Sequence, residues 1–319
     1  MPNRQKSLPR PSLPPPNKRL VPMEPADTRF ARMARLGMLV AANAVLAMGP
    51  WLVRLADTGA VAAGFWRLTL ALPVIAFFAW REPAGKAPLG RIGLLLVAGA
   101  GVFFALDLAA WHLGIERTRL GNASLFGNSG SVILIAWGLI AARQSPRMAE
   151  IAAVAAALVG AFLLMDGSLQ ISHANLLGDL FALLAGVFYA FYLLMLRSVR
   201  TRLGSWSMLV LVILAGAPIL LGVSLALGEA VMPGNWAPLL VLAMSSQVVG
   251  QGLLIRSLSW FSPLVIGLAL LTQPALAALS GYLAFGEGLS AQDMIGMALM
   301  GAALALARAS EPKVKAVLP

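Results

Sequence analysis

Residues 91–113 read RIGLLLVAGAGVFFALDLAAWHL, a stretch whose charged residues are Arg91 at its start and Asp107. As a helix, about 20 apolar residues are long enough to cross the ~30 Å hydrocarbon layer of a bilayer. The apolar residues follow one another without the alternation that is typical of a membrane-spanning strand. We therefore predict that this stretch is a transmembrane helix.

Similar stretches fill most of the chain on either side of it. Hydrophobic residues make up 59% of the 319 residues and charged residues 12%, whereas soluble domains have roughly 45–50% and about 25%. The mean hydropathy of +0.83 also indicates a polytopic membrane protein. We predict an all-α membrane protein with ten transmembrane helices joined by short polar turns. The predicted spans are 36–55, 61–80, 91–113, 120–142, 148–166, 177–197, 205–227, 235–256, 262–284 and 290–308.

Basic residues are distributed unequally between the two sides of the predicted membrane. Of the 24 Lys and Arg residues, 20 fall in the N-terminal tail, the even-numbered loops or the C-terminal tail, and three fall on the opposite side. Because basic loops remain in the cytoplasm, both termini are predicted to be cytoplasmic. The net charge of +11 then reflects topology, and no binding of nucleic acid is expected. Residues 1–30, rich in proline and basic residues, are predicted to be a disordered cytoplasmic tail, and 309–319 a cytoplasmic C-terminal tail.

The sequence offers little for catalysis or for binding a metal. It contains no cysteine and two histidines, which excludes disulfides and thiol chemistry and leaves few metal ligands. It also lacks a GxxxxGKS or GxxxxGKT motif, so ATP is not expected to drive it directly. We predict neither a metal nor another cofactor. His112 with Asp107 is the best pair for an intramembrane enzyme, but it lacks a nucleophile, so an enzyme is not favoured.

The two halves of the chain match at a single ungapped shift of 141 residues. Leu36-Gly37 aligns with Leu177-Gly178, and residues 157–163 align with 298–304 at the far end. Each half would contain five helices, an odd number, so the second half enters the membrane inverted. The predicted domains are a first five-helix repeat at 36–166 and a second at 177–308. Inverted repeats allow a transporter to expose a central site to one side and then to the other.

Several short motifs are distinctive: Gly64-Phe65-Trp66-Arg67, Phe188-Tyr189-Ala190-Phe191-Tyr192 followed by Arg197, Pro274, Gly286-Glu287 and the stretch from Gly296 to Gly301. They resemble the EamA branch of the drug/metabolite transporter superfamily. The resemblance covers about residues 36–308 and implies a ten-helix inverted-repeat transporter, with the fifth helix of each half at the periphery and eight helices around a central cavity. Within the branch the chain is most similar to bacterial exporters of aromatic and other neutral amino acids, which implies a multi-pass inner-membrane protein.

One position departs from the family's pattern. The second half carries Gln273-Pro274, where the first half has Gly130-Ser131-Val132. The family's proline kink is therefore expected in only one half.

Two charged residues lie well inside the predicted spans, Arg67 and Asp107. Each is about six residues from the predicted outer end of its span, or ~9 Å below the outer surface. Charges at such a depth are costly and indicate a functional role. Two interpretations remain open. One is a salt bridge that fastens two spans together, and the other is a pair that faces the cavity and either contacts the carboxylate and ammonium groups of a substrate or acts as an outer gate.

Uncharged polar and aromatic side chains provide the other candidate contacts with a substrate. They are found in the spans that the resemblance places around the cavity, whereas stretches 151–164 and 294–307 contain no polar side chain. Trp111 lies one helical turn from Asp107, so a substrate that touches one residue can reach the other. The predicted substrate-binding residues are Asn43, Trp51, Arg67, Asp107, Trp111, Asn128, Tyr189, Tyr192, Gln247, Gln251 and Gln273.

These observations together indicate a secondary transporter. We interpret the chain as an exporter of small amphipathic metabolites, in the first place aromatic and other neutral amino acids, that works by alternating access. The alternative is a multidrug or other metabolite exporter with proton antiport, and a channel or an intramembrane enzyme is less favoured. The expected partners are the amino-acid substrate and the lipid bilayer, and the chain is expected to be a monomer.

Overall fold

The computed structural model describes residues 29–83, 89–118, 123, 126–142, 145–166, 175–285 and 288–310. Helices joined by turns form this part of the chain, and no strand occurs in it. The helices are α1 (Arg29–Ala47), α2 (Gly49–Leu55), α3 (Ala60–Arg81), α4 (Gly90–Arg117), α5 (Ser129–Ala141), α6 (Met148–Asp166), α7 (Leu176–Val199), α8 (Ser205–Ala226), α9 (Ala237–Leu242), α10 (Gly252–Ser257), α11 (Pro263–Leu271), α12 (Gln273–Phe285) and α13 (Ala291–Ser310), with a π-helical segment, Ala243–Gln251, between α9 and α10.

In the described part of the chain, six helical stretches are long and apolar enough to cross a membrane. Three further apolar helices are shorter, at Ser129–Ala141, Met148–Leu164 and Pro263–Leu276. The all-helical prediction is confirmed, while the count of ten spans and their inverted arrangement stay predictions. The six long stretches are Met33–Leu55, Ala60–Arg81, Gly90–Arg117, Leu176–Val199, Ser205–Ala226 and Ala237–Ser257.

The first helix begins earlier than the sequence predicted. The predicted span started at residue 36 and assigned residues up to 30 to the tail, but α1 starts at Arg29. The added residues are mainly Ala, Arg and Met, which are strong helix formers, and long basic side chains can extend towards water at a membrane surface. At the other end, α13 continues to Ser310. The rest of both predicted tails, 1–28 and 311–319, lies outside the described residues.

Proline and glycine interrupt some helices and leave others continuous. A turn at Met48 separates α1 from α2, whose first residues are Gly49 and Pro50. By contrast, Pro73 and Pro218 lie inside continuous helices, α3 and α8. Since proline removes a backbone donor but does not always break a helix, its effect depends on the local packing.

The helix interruption that was expected in one half occurs in both. Thr272 separates α11 from α12 directly before Gln273-Pro274. In the first half, residues 126 and 127 are helical, Asn128 is a turn and α5 begins at Ser129. The first half therefore also has a helix interruption in this region, although it lacks a proline there.

Helices α6 and α13 pack closely against each other. A Cβ added to Gly160 would lie 2.7 Å from the carbonyl oxygen of Gly296, and one added to Gly296 would lie 2.8 Å from the carbonyl oxygen of Gly160. Neither position accommodates a side chain without a shift of the backbone. In a membrane, such small residues allow two helices to approach at short range.

The central helices surround the region that holds the predicted site. Helix α4 packs against α7 and α8, and α3 packs against α8. Large apolar side chains such as Leu95 and Phe162 are exposed on the outside of this bundle, at 72% and 59%. An outward-facing apolar surface is what a bilayer requires of a protein embedded in it.

Candidate substrate site

A cavity of about 120 Å³ lies among helices from both halves of the chain. Its wall includes residues of α2, α3, α4, α7, α12 and the π-helical segment. The structure thus brings together side chains that are more than 200 residues apart in the sequence. Seven of the predicted substrate-binding residues line it: Arg67, Asp107, Trp111, Asn128, Tyr189, Gln251 and Gln273.

Arg67 and Asp107 both line this cavity and are both buried, at 4% and 8% exposure. The Arg67 Nε donates a hydrogen bond to the Oε1 of Gln247, at 3.1 Å. Within the described part of the chain, Asp107 forms neither a hydrogen bond nor an ion pair with Arg67 or any other residue. Of the two interpretations of these charges, the fastening salt bridge is absent from the described contacts.

Gln251 is held by two tyrosines of α7. Its Nε2 donates to the Oη of Tyr189 at 3.2 Å, and its Oε1 accepts from the Oη of Tyr192 at 3.4 Å. Tyr192 is fully buried and stacks on Phe104, with ring centroids 4.5 Å apart. Tyr189 therefore faces the cavity, whereas Tyr192 lies behind Gln251 and fixes its amide.

Asn43 plays a similar supporting part for Gln273. The Nε2 of Gln273 donates to the Oδ1 of Asn43 at 3.2 Å, and the Nδ2 of Asn43 donates to the carbonyl oxygen of Leu39 at 2.8 Å. Asn43 is fully buried and is not among the cavity-lining residues. A buried amide with two partners is rigid, so Asn43 orients Gln273 rather than reaching the cavity.

Trp51 is the one predicted residue that lies away from this group. It is 45% exposed, and Pro50 lines the cavity in its place. The prediction extended one span through residues 36–55, whereas the structure divides this stretch at a turn at Met48. Trp51 follows this turn, on the short helix α2.

The sequence did not single out two features of the site. Phe104 lines the cavity, and its position three residues before Asp107 and seven before Trp111 on one face of α4 is a signal that could have found it. The π-helical segment carries Gln247 and Gln251. No sequence period identifies a π-helix, although such segments are frequent at functional sites.

Two buried polar atoms near the π-helical segment lack partners among the described residues, the Nε2 of Gln247 and the Oγ of Ser246. A polar atom that is buried without a hydrogen-bond partner lowers stability. No group of three His, Asp or Glu residues in the described ranges is placed to hold a metal ion.

The chain belongs to a family of membrane transporters. Residues 34–166 and 176–309 each match the model of the EamA-like transporter family, so the chain is a member of that family. This confirms the family that the motifs predicted.

Individual relatives are more distant. The chain is 28% identical over 270 residues to the threonine/homoserine exporter RhtA of Salmonella typhimurium, which covers 80% of this chain and 86% of that protein. The RhtA protein of Escherichia coli is 27% identical over 266 residues, covering 79% and 85%. An uncharacterized transporter of Archaeoglobus fulgidus is 27% identical over 135 residues, and the match spans 40% of this chain and 44% of that protein. One solved crystal structure has a TM-score of 0.70 and 14% identity over 87% of this chain and 97% of its own, which shows a shared fold.

Proposed function

We propose that this transporter exports neutral α-amino acids and binds them in the cavity that contains Arg67 and Asp107. The observation that carries the proposal is that a guanidinium and a carboxyl group line one cavity inside an apolar bundle without pairing with each other. A zwitterion has one charged group for each of them, a carboxylate for Arg67 and an ammonium group for Asp107. Because buried charges are favourable only when they are compensated, a zwitterion satisfies this cavity better than a singly charged ligand does.

The neutral part of the wall supports two kinds of side chain. The amides of Gln251, Gln273 and Asn128 can hydrogen-bond a hydroxyl group, which agrees with the substrates in the names of the RhtA relatives. The rings of Trp111 and Tyr189 can instead pack on an aromatic side chain. Hydroxylated and aromatic amino acids are therefore the first two groups to test.

The same proposal includes ten spans arranged as two inverted repeats, with both termini in the cytoplasm and the protein in a bacterial inner membrane. The family model matches the chain twice, at 34–166 and 176–309, and the basic residues concentrate on one side. The close α6–α13 contact occupies the glycine face of these helices within one chain, which supports a monomer. Alternating access of the two repeats would carry the substrate across.

Counterflow in proteoliposomes tests the substrate class. Vesicles loaded with an unlabelled amino acid are expected to take up labelled threonine or phenylalanine faster than empty vesicles. Asp107→Asn and Arg67→Gln should lower this exchange on the order of tenfold, because each removes a charge-assisted contact with the zwitterion. Glu150→Gln changes a carboxylate at the start of α6 that does not line the cavity, and it should leave exchange unchanged.

Two results would contradict the proposal. One is that a panel of neutral amino acids gives no trans-stimulation with folded protein, and the other is that Asp107→Asn exchanges at the wild-type rate. A pH gradient across the same vesicles addresses the antiport alternative. If efflux of an organic cation accelerates with that gradient while amino acids do not exchange, the chain is a multidrug exporter.

A further inference from the structure

A second cavity lies at the end of the helices that the charge distribution places outside. Its volume is about 210 Å³, and its wall includes Arg54 of α2, Thr58, Ala60 at the start of α3, and Ile115 and Glu116 near the end of α4. None of these residues lines the first cavity or was predicted to bind a substrate.

The two cavities are stacked along the same helix faces. On α4, Asp107 and Trp111 line the first cavity and Ile115 lines the second, at intervals of four residues that keep all three on one face. On α2, Pro50 lines the first cavity and Arg54 the second, again four residues on. At 1.5 Å per residue, Ile115 lies about 12 Å beyond Asp107 along α4. The second cavity therefore lies on the outer side of the first, along the same faces of α2 and α4.

The second cavity carries the same two kinds of charged group as the first, but here both residues are exposed. Among the described residues, the guanidinium of Arg54 has one hydrogen bond, from its Nη2 to the carbonyl oxygen of Ile115 at 3.4 Å. Glu116 contacts Arg117 at 3.6 Å, and its side chain is 51% exposed. The buried Oγ1 of Thr58 has no hydrogen-bond partner in the described ranges. Each cavity thus presents one cation and one carboxyl group, and here a hydroxyl group is available as well.

We propose that the second cavity is an outer subsite, which holds the zwitterionic substrate after it has left the first cavity. Arg54 binds the carboxylate, Glu116 binds the ammonium group, and the hydroxyl of Thr58 hydrogen-bonds the carboxylate beside Arg54. A hydroxyl group that is buried without a partner is costly, so a ligand that accepts its hydrogen bond is favoured there. This inference rests on the proposed function, because it assigns the same substrate class to both cavities.

Sided exchange measurements test the outer subsite. Labelled threonine is offered to the outside of cells, or of right-side-out vesicles, and to inside-out vesicles that contain the full-length protein. Arg54→Gln and Glu116→Gln should raise the external half-saturation concentration about fivefold and leave the internal one unchanged, since each removes one charge-assisted contact. Thr58→Val should raise the external value about threefold, and Arg54→Lys should be intermediate because it keeps the charge.

Two matched variants control for charge and for hydroxyl loss. Arg202→Gln removes an exposed charge on the predicted cytoplasmic side that neither lines the cavity nor contacts Glu116, and Thr69→Val removes a hydroxyl that bonds the carbonyl oxygen of Phe65 within α3. Both should keep the wild-type external value. The subsite proposal is overturned if Arg54→Gln and Glu116→Gln match the wild type externally, or if both faces change equally. Absence of exchange in the wild-type protein would instead overturn the proposed function, and the subsite with it.

Discussion

The antiparallel helices α3 and α8 are joined at both ends, and the two junctions can be compared directly. At the first, which is on the predicted outer side, Glu229 follows α8 and accepts hydrogen bonds from the backbone amides of Val61 (3.2 Å) and Ala62 (2.8 Å). Gly59 precedes α3, and a Cβ at this position would collide with the Glu229 side chain. A carboxylate here satisfies amides that have no partner within the helix and interacts favourably with the helix dipole.

The second junction repeats this arrangement on the predicted cytoplasmic side. Glu82 follows α3 and accepts hydrogen bonds from the backbone amides of Trp206 (3.1 Å) and Ser207 (3.0 Å) at the start of α8. A Cβ at Gly204, which precedes α8, would collide with the Glu82 carboxylate. The N-terminus of each helix is therefore capped by a glutamate from the turn that follows the other helix.

The two junctions differ in what surrounds the carboxylate. At the outer junction the loop after α8 is bonded to the start of α3: the Nε1 of Trp66 donates to the carbonyl oxygen of Val231 at 2.6 Å, and the amides of Gly234 and Asn235 donate to Asp57. The ring contacts differ as well. At the cytoplasmic junction Phe78 and Trp206 are stacked, with centroids 4.8 Å apart, whereas at the outer junction Trp66 meets Trp236 edge to face, also at 4.8 Å.

Both junctions share a glutamate that caps one helix from the turn after the other, and this shared feature matters more for movement than the differences do. Both ends of α3 are fixed to α8, so we expect the two helices to move as one body. Arg67 lies on this body and Asp107 on α4. A relative movement of α4 and the α3–α8 pair would then change the distance between the two charged groups of the proposed site.

Removing both carboxylates should have the largest effect on stability. Glu82→Ala with Glu229→Ala loses two helix caps, each worth about 1–2 kcal/mol. The helices are ~33 Å long, so the two losses should be nearly additive. The measurement is the midpoint of thermal unfolding in detergent for the single and double variants. The wild-type protein is the reference, and a double variant as stable as either single variant would contradict the prediction.

The features that set the two junctions apart should each contribute less. Trp66→Phe removes the hydrogen bond to Val231 at the outer junction and should cost about 1 kcal/mol. Phe78→Leu removes the ring stack at the cytoplasmic junction and should cost about 0.5–1.5 kcal/mol. Thermal unfolding of each variant, alone and combined with Glu82→Ala or with Glu229→Ala, measures the coupling energy between the two positions. We expect coupling of Trp66 with Glu229 and of Phe78 with Glu82, and the crossed pairs should be additive; the reverse pattern would rule out two separate junctions.

The sequence predicted the parts of this molecule that depend on apolar runs and on rare charges inside them. Arg67 and Asp107 were found because a charge in a bilayer is costly, and both line the cavity. The sequence could not show that Asn43 and Tyr192 support other side chains and do not line the cavity themselves. A sequence pattern indicates how deep a residue lies in the membrane, but it does not tell a residue that lines a cavity from one directly behind it.

The junctions could not have been predicted. Glu82 and Glu229 lie in polar turns, where a carboxylate is unremarkable as a sequence feature, and the amides that they accept from are 124 and 167 residues away. Backbone amides are common to all residues except proline and leave no sequence signal. In the structure, Gly59 and Gly204 are 145 residues apart and Glu82 and Glu229 are 147 apart, close to the shift of 141 that the repeat predicted. The paired junctions thus support the proposed repeat in a region where too few identical residues align to indicate it.

The smallest expected effect is on transport. It tests whether α3 and α8 move together as one rigid pair or whether the two junctions open in turn, as gates. If α3 and α8 move together, Glu82→Ala and Glu229→Ala should lower stability but leave the ratio of external to internal half-saturation concentrations for threonine within about twofold of the wild type. A gate behaves differently, because breaking one junction would favour the state that is open at that end and shift the ratio in opposite directions for the two variants. Sided exchange at a temperature well below both unfolding midpoints provides the measurement. Opposite shifts would show that the junctions open in turn, and α3 and α8 would then have to separate during the transport cycle.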